Sequence, residues 1–328
     1  MKPGPAPEGQ RRTRRSDRTV PLVVTLERET EERYERGLLS LEKFCAANGH
    51  GRVEQLAERH PREFNKVFQT WIQECFEAEL PRYHAESGLL GAAKKFWWIR
   101  PQLKPSWDLV EEWTWREPTQ KRAPVPLLVV RAMLAVAGSW KWWGMGLVLW
   151  MSFHGLLRPG EAVDMKKKHV RFAHALGSRA KVVVLVIAEA KTRRKAARAQ
   201  HVILEEPLLV TIAERFCSFL GPEDPLFPLS GATYDKRFGQ LLTAIGLQPG
   251  DFTPAGLRAG GATEEWVRFR DIQALRLRGR WMQLRTLEHY GQEAVATLGV
   301  QRFSPRQVEL MENLAGEAAA VWRTEWVR

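Results

Sequence analysis

The 328-residue sequence predicts a mostly α-helical protein with a small antiparallel β-sheet, an α+β chain of two domains. Three observations carry this reading. Apolar residues recur at three-to-four spacing through most of the chain, as on the buried stripe of a helix. β-Branched residues concentrate in two neighbouring runs, "KVVVLVIAEA" and "QHVILEE". A proline-rich stretch without periodicity, "REPTQKRAPVP", divides the helical pattern in two.

Residues 1–25, opening "MKPGPAPEGQRRTRRSDR", combine proline, glycine and arginine and lack the apolar core of a signal peptide, so they read as a disordered basic tail. Residues 26–115 are helical: Phe64, Val67, Phe68, Trp71, Ile72 and Cys75 form one buried stripe. Further on, Lys94, Lys95, Trp97, Trp98 and Arg100 make a basic and aromatic cluster. A tryptophan in a helical segment usually fills core, and Trp97 and Trp98 are read that way. Residues 116–126 form the linker.

From residue 127, two apolar helices run through Leu134 and Leu149. The apolar region Val125 to Leu157 is interrupted by Arg131 and Lys141, short of the ~18–20 uncharged residues of a bilayer span, so no membrane partner is expected. The two β-branched runs, separated by the polar "KTRRKAARA", predict a hairpin with a basic tip. Helical patterns return after Pro207 and continue to residue 300. A last helix, within 301–328, opens at Ser304, where Pro305 suits the first helical position and Gln307 completes a capping box.

A formal charge of +12 and a pI near 9.9 favour polyanionic partners, nucleic acid above all. Cys45, Cys75 and Cys217 lie far apart without metal-binding spacing, which predicts neither disulfides nor a metal site and fits a reducing, intracellular setting.

Two arginines stand where helices should begin. In "GLLRPGEAVDM", Pro159 fits the first helical position, so Arg158 sits at a helix start, where N–H groups and the dipole favour anions; Glu161 would orient its guanidinium. In "TPAGLRAGGAT", Thr253 is the expected cap and Arg258 lies in the second turn among Gly256, Gly260 and Gly261. Each glycine costs a helix about 1 kcal/mol relative to alanine. Their benefit is close approach by another helix or by a DNA backbone. Near the end of the pattern, "GRWMQLRTLEHYGQE" holds Tyr290 in a polar, basic context with Arg285 and His289.

Arg158 with Glu161, Lys191 in "AKTRRK", Arg258, and Trp281 nine positions before Tyr290 follow one order and rough spacing over Val125 to Glu293. In this the sequence resembles the tyrosine recombinase (phage integrase) family. The resemblance implies an N-terminal helical core-binding domain over 26–115, a catalytic domain over 127–300, and DNA strand cleavage and rejoining through a 3′-phosphotyrosyl intermediate. It implies Arg158, Lys191, Arg258, Trp281 and Tyr290 as catalytic residues, with Glu161 in support. It implies double-stranded DNA as partner, a homo-tetramer on two DNA sites and no cofactor; the last helix either packs on a neighbouring protomer, as is frequent in the family, or docks on its own domain. Such an enzyme works inside the cell, in the nucleus of a eukaryote and otherwise in cytoplasm and nucleoid. One position departs: the family's HxxR histidine falls at Ala255. A missing general acid or base usually costs about 10²- to 10⁴-fold.

The basic runs Lys166, Lys167, Lys168 with Arg171, and Arg193, Arg194, Lys195 with Arg198, bracket the catalytic hairpin and are read as DNA-backbone contacts, with Glu189 the acidic residue opposing them locally. Two other functions fit parts of the pattern. A recombinase-derived DNA-binding protein without chemistry is favoured by Ala255. A metal-dependent nuclease would use Glu189 and Lys191 as an ExK pair with Asp164 or Glu161 as a further carboxylate.

Overall fold

The computed structural model describes residue 26 and residues 28–117, 123–173, 181–187, 200–281 and 303–324. The chain divides into two compact units, Met1–Gln120 and Lys121–Arg328. The boundary falls within the proline-rich stretch. Residues 1–25, the predicted basic tail, lie outside the described residues.

The first unit contains α1 (Arg28–Ala47), α2 (Val53–Arg59), α3 (Pro61–Glu77), α4 (Tyr83–Lys95), a 3-10 segment (Trp97–Leu103) and α5 (Lys104–Arg116). The stripe predicted on α3 is buried in full, from Phe64 to Cys75. The tryptophans after α4 are a correction: Trp97 is 68% exposed and Trp98 39%. Helix α4 ends at Lys95, and in the tighter 3-10 turn side chains three apart share a face. Phe96 and Ile99 therefore take the core positions, turning Trp97 outward and leaving Trp98 to donate its indole N–H to the Ala57 carbonyl at 3.2 Å. The neighbouring cations are paired: Lys94 with Glu31, and Lys95 with Glu54 at 2.9 Å.

The second unit contains α6 (Leu127–Ser139), α7 (Trp143–His154), α8 (Pro159–Val163), β1 (Val170–Phe172), β2 (Val183–Ile187), β3 (Gln200–Leu204), α9 (Pro207–Cys217), α10 (Gly231–Ala244), α11 (Pro254–Phe269), α12 (Ile272–Gly279) and α13 (Pro305–Thr324). Its strands form one antiparallel sheet in the order β1-β2-β3. The predicted hairpin is β2 and β3, in register from Val183 opposite Leu204 to Ile187 opposite Gln200. Strand β1 has only three residues, "VRF", too few for an alternation to show in sequence. The two apolar helices are buried on nearly every side, as a helix without a polar face must be.

Helix α13 docks on α6 of its own unit. Trp322 is buried and donates its indole N–H to the Leu134 carbonyl at 2.8 Å. The slot exists because Gly138 and Gly146 lack side chains: a Cβ at Gly146 would stand 2.3 Å from the Trp322 ring. The predicted capping box is present, with Ser304 N–H donating to Gln307 Oε1 at 2.9 Å and Gln307 N–H to Ser304 Oγ at 3.3 Å. The three cysteines are free and buried. Burial pushes their thiols up, Cys75 to about 12. No helix among the described residues is long and apolar enough to cross a membrane.

Candidate active site

The site is assembled at the C-terminal end of α7. Leu157 N–H donates to the Ser152 carbonyl at 3.1 Å and Leu156 N–H to Phe153 at 3.4 Å. This is the pairing of a Schellman turn, which needs a left-handed residue at its centre. Here that residue is Leu156, with φ +49°. The turn reverses the chain and delivers Arg158 to the start of α8.

Helix α8 has only five residues, so its dipole is weak. Glu161 Oε2 accepts the Arg158 main-chain N–H at 2.9 Å and Oε1 accepts Arg158 Nη1 at 2.6 Å. Glu161 thus holds Arg158 by both its main chain and its guanidinium. The Arg158 side chain is 28% exposed, and Glu161 6%.

Arg258 arrives from α11. Thr253 precedes the helix in extended conformation, but its side chain makes no cap; its carbonyl accepts Gly256 N–H at 2.8 Å. The three glycines are explained by the protein's own backbone. A Cβ on Gly260 would lie 1.9 Å from the Val125 carbonyl oxygen, one on Gly261 2.0 Å from Phe153, and one on Gly256 2.5 Å from Ala123. Val125 N–H also donates to the Gly256 carbonyl at 3.0 Å. None of the three is held open for DNA, which corrects that alternative, and residues 123–125 at the end of the expected linker pack as part of the second unit. Helix α11 so pressed against α7 leaves Arg258 7% exposed. Its Nη1 donates to the Leu156 carbonyl at 2.7 Å and its Nη2 to Gly279 at 2.6 Å.

Sequence reasoning missed the next contributor. Helix α12 closes with a second such turn: Trp281 N–H donates to the Arg276 carbonyl at 3.0 Å and Arg280 N–H to Leu277 at 3.1 Å, with Arg280 left-handed at φ +58°. Trp281 then folds over Gly279, where a Cβ would lie 1.8 Å from its ring, and faces the Arg258 guanidinium, 4.7 Å from the ring centroid. Arg280 turns inward with its side chain 5% exposed. Its Nη2 donates to Glu161 Oε2 at 2.6 Å and reaches the Leu156 carbonyl at 3.3 Å. The signal was present in "GRW": a bulky arginine directly after the small residue that ends a helix.

One continuous network results, running from Arg158 through Glu161, Arg280 and the Leu156 carbonyl to Arg258 and Trp281. Residues more than a hundred positions apart in sequence are thereby joined. Arg278 braces it, donating Nε and Nη2 to the His154 carbonyl and Nη1 to Glu265 at 3.0 Å. Burial is the main influence pulling the Arg280 guanidinium below its ordinary value; Glu161 opposes the shift and the Arg158 charge adds to it. Arg280 Nε and Nη1 are buried and find no partner among the described residues. A buried unmet donor ordinarily costs about 1–3 kcal/mol, and more for a charged group.

Lys191, Arg193, Arg194, Lys195, Arg198, Glu189 and Tyr290 lie outside the described residues. Ala255, on the first turn of α11, is half-buried. Of the first basic run, Lys166 and Lys168 engage Glu223 at 3.1 and 2.8 Å, and Lys167 donates to the Leu220 carbonyl at 2.7 Å. Glu223 is more than fifty positions away, so the local view of sequence charge did not include it. Both Glu161 oxygens accept from arginine N–H groups, of Arg158 and Arg280. Among the described residues no cluster of histidine, cysteine and carboxylate side chains is suited to hold a metal.

No family model and no curated protein matches the sequence. Solved structures do. The site-specific recombinase XerH, bound to a palindromic difH substrate in a post-cleavage complex, aligns with a TM-score of 0.53 at 14% identity, covering 82% of this chain and 78% of the other. The Tn1549 transposon integrase in complex with transposon right end DNA aligns with a TM-score of 0.52 at 13% identity, covering 85% and 96%. The same integrase with a circular intermediate DNA gives 0.51 at 13% identity, over 80% and 94%. The α+β architecture of this chain, a helical unit followed by a helical unit with one small antiparallel sheet, is the fold of the tyrosine recombinases.

Proposed function

We propose that this chain is a tyrosine recombinase, a DNA strand transferase that cleaves and rejoins double-stranded DNA at specific sites through a 3′-phosphotyrosyl intermediate. The observation that carries the proposal is the gathering of Arg158, Glu161, Arg258 and Trp281 into one network. Their order alone suggested the activity; their juxtaposition within this fold supports it.

In the proposed reaction the Tyr290 phenol oxygen attacks the scissile phosphorus and loses its proton as the P–O5′ bond breaks. Negative charge develops on the two non-bridging oxygens, and preorganised guanidinium groups at Arg158 and Arg258 stabilise it. Lys191 gives a proton to the departing 5′-oxygen. Trp281 covers the phosphate and excludes water, which protects the phosphotyrosyl ester from hydrolysis. The ester conserves the bond energy, so a 5′-hydroxyl from another strand reverses the reaction without cofactor. The runs Lys166, Lys167, Lys168, Arg171 and Arg193, Arg194, Lys195, Arg198 hold the duplex through its phosphates, and the first unit serves as the core-binding domain. A tetramer on DNA inside the cell belongs to the same proposal.

A second reading, a DNA-binding protein of recombinase descent without chemistry, is favoured by Ala255 in place of histidine. One experiment separates the two. The full chain is incubated with a pool of randomised duplexes carrying a nick that traps the cleaved strand, and covalent protein–DNA adducts are resolved on a denaturing gel. The recombinase reading expects an adduct from the wild type and none from Tyr290→Phe. DNA retention without any adduct supports the second reading instead.

A further inference from the structure

The two arginines assigned to the phosphate stand on different supports, and one side chain reaches both. Arg158 donates to the Glu161 carboxylate, and Arg258 to the Leu156 carbonyl. Arg280 Nη2 donates to that carboxylate at 2.6 Å and to that carbonyl at 3.3 Å. Its main chain, left-handed at φ +58°, closes α12 and sets the next residue, Trp281, against the Arg258 guanidinium.

Burial separates the group that can touch a ligand from those that cannot. The Arg158 side chain is partly exposed, whereas Glu161 and Arg280 are buried. Arg280 Nε and Nη1 are enclosed as well and have no partner among the described residues. Unmet buried donors on a charged group weaken a fold, and an apolar residue of similar volume in place of a buried ion-pair member is often neutral or stabilising. Stability therefore does not account for an arginine at this position. Charge does. Glu161 alone beside Arg158 would make a one-to-one pair with little positive field left for a phosphate. With Arg280 present, two guanidinium groups share one carboxylate and the cluster stays cationic. Arg280 also fixes Glu161 Oε2, the oxygen that accepts the Arg158 main-chain N–H. A carboxylate held from both sides offers Arg158 one geometry, and donors fixed in advance are what a site of developing charge requires.

We infer that Arg280 is a positioning residue of this site, acting through Glu161 to fix Arg158 and to keep its charge available to the phosphate. The inference rests on the recombinase reading for the source of that phosphate, a DNA phosphodiester; the fixing of Arg158 through Glu161 stands independently of it.

Three measurements on the full chain compare the wild type with Arg280→Met and Arg280→Lys. The first is native-state hydrogen exchange of the Arg158 main-chain N–H, followed by NMR. Arg280→Met is expected to speed it by about tenfold, the scale of a charge-assisted hydrogen bond, while amides within α7 and α11 keep their protection. Arg280→Lys is expected to fall between, because a point charge serves Glu161 without the planar fork. The second is the thermal midpoint, expected to hold or rise in Arg280→Met. The third is adduct formation on the nicked duplex pool, expected to slow by about tenfold with DNA retention unchanged, less than the roughly 10²- to 10³-fold cost of a donor that touches the reacting group. Equal Arg158 exchange in wild type and Arg280→Met overturns the inference. So does a lowered midpoint with faster exchange throughout α7 and α11, which assigns Arg280 to the fold alone. Should Arg280→Met fail to fold, Arg280→Lys decides by the same Arg158 exchange. No adduct from the wild type removes the recombinase reading, and the exchange then judges Arg280 by itself. An adduct formed as fast by Arg280→Met as by the wild type leaves the recombinase reading standing and removes Arg280 from the site.

Discussion

Leu156 joins backbone strain and site chemistry in a single residue. A left-handed conformation costs an L-residue roughly 1–2 kcal/mol. Glycine would avoid that cost, yet the Leu156 side chain is buried against Ala262 and Leu275, and burial of a leucine contributes about 1.5–3 kcal/mol. Two residues upstream, His154 reports on the same corner. Burial first, then the charges of Arg278, Arg131 and Arg268, lower its pKa from 6.5 to about 3. The folded protein therefore keeps His154 neutral where the unfolded chain protonates it. Stability from this residue is full above pH 6.5 and is lost as pH falls toward 3, at up to ~1.4 kcal/mol per pH unit. His154→Gln should flatten the pH dependence by that slope, measured as urea unfolding free energy across the same window. An unchanged slope would place the titration elsewhere.

At the scale of elements, the decisive feature is how closely α11 approaches α7 and the segment 123–125. Gly260 and Gly261 meet backbone carbonyl oxygens, which cannot move aside as a side-chain tip can. Alanine at either position gains about 1 kcal/mol of helix propensity and forces the helix outward; overpacking of this kind costs about 1–3 kcal/mol or more. Gly261→Ala should lower the thermal midpoint and weaken the Arg258 contact with Leu156. Gly316→Ala on α13 is the opposite case. No atom lies within 4 Å of its added Cβ, so it should stabilise the protein by about 1 kcal/mol. Differential scanning calorimetry of the two variants checks both signs; equal effects would mean that helix propensity, not close approach, governs α11.

At the scale of the whole molecule, a charge of +12 favours polyanionic partners, but its distribution decides which cations are available. Lys166 and Lys168 are tied to Glu223, an exposed carboxylate; the two lysines hold it below the usual carboxylate range, through hydrogen bonds before charge. Removing that carboxylate should release both amines to phosphate. Glu223→Gln is expected to bind duplex DNA more tightly and with a steeper salt dependence, by about −0.9 in log–log slope for each additional phosphate neutralised. Fluorescence anisotropy across a salt series measures this. Identical slopes for variant and wild type would remove the Lys166–Lys168 run from the DNA interface.

Much of this was legible in one dimension. The α3 stripe, the apolar pair α6 and α7, the hairpin and the Ser304 capping box depend on residues a few positions apart, where spacing maps directly to geometry. Arg158, Arg258 and Trp281 were found by order and motif, and the three glycines of α11 marked a close approach without saying by what. Illegible were features decided between distant segments: the outward turn of Trp97, the pairing of Glu223 with Lys166 and Lys168, and above all Arg280. Chain order settled the helical pattern and the basic character, and it singled out the residues proposed to meet a phosphate. Folding settled which of them share a carboxylate, because two left-handed turns, at Leu156 and Arg280, bring the ends of α7 and α12 to one carbonyl oxygen, and no local pattern specifies where two such turns will meet.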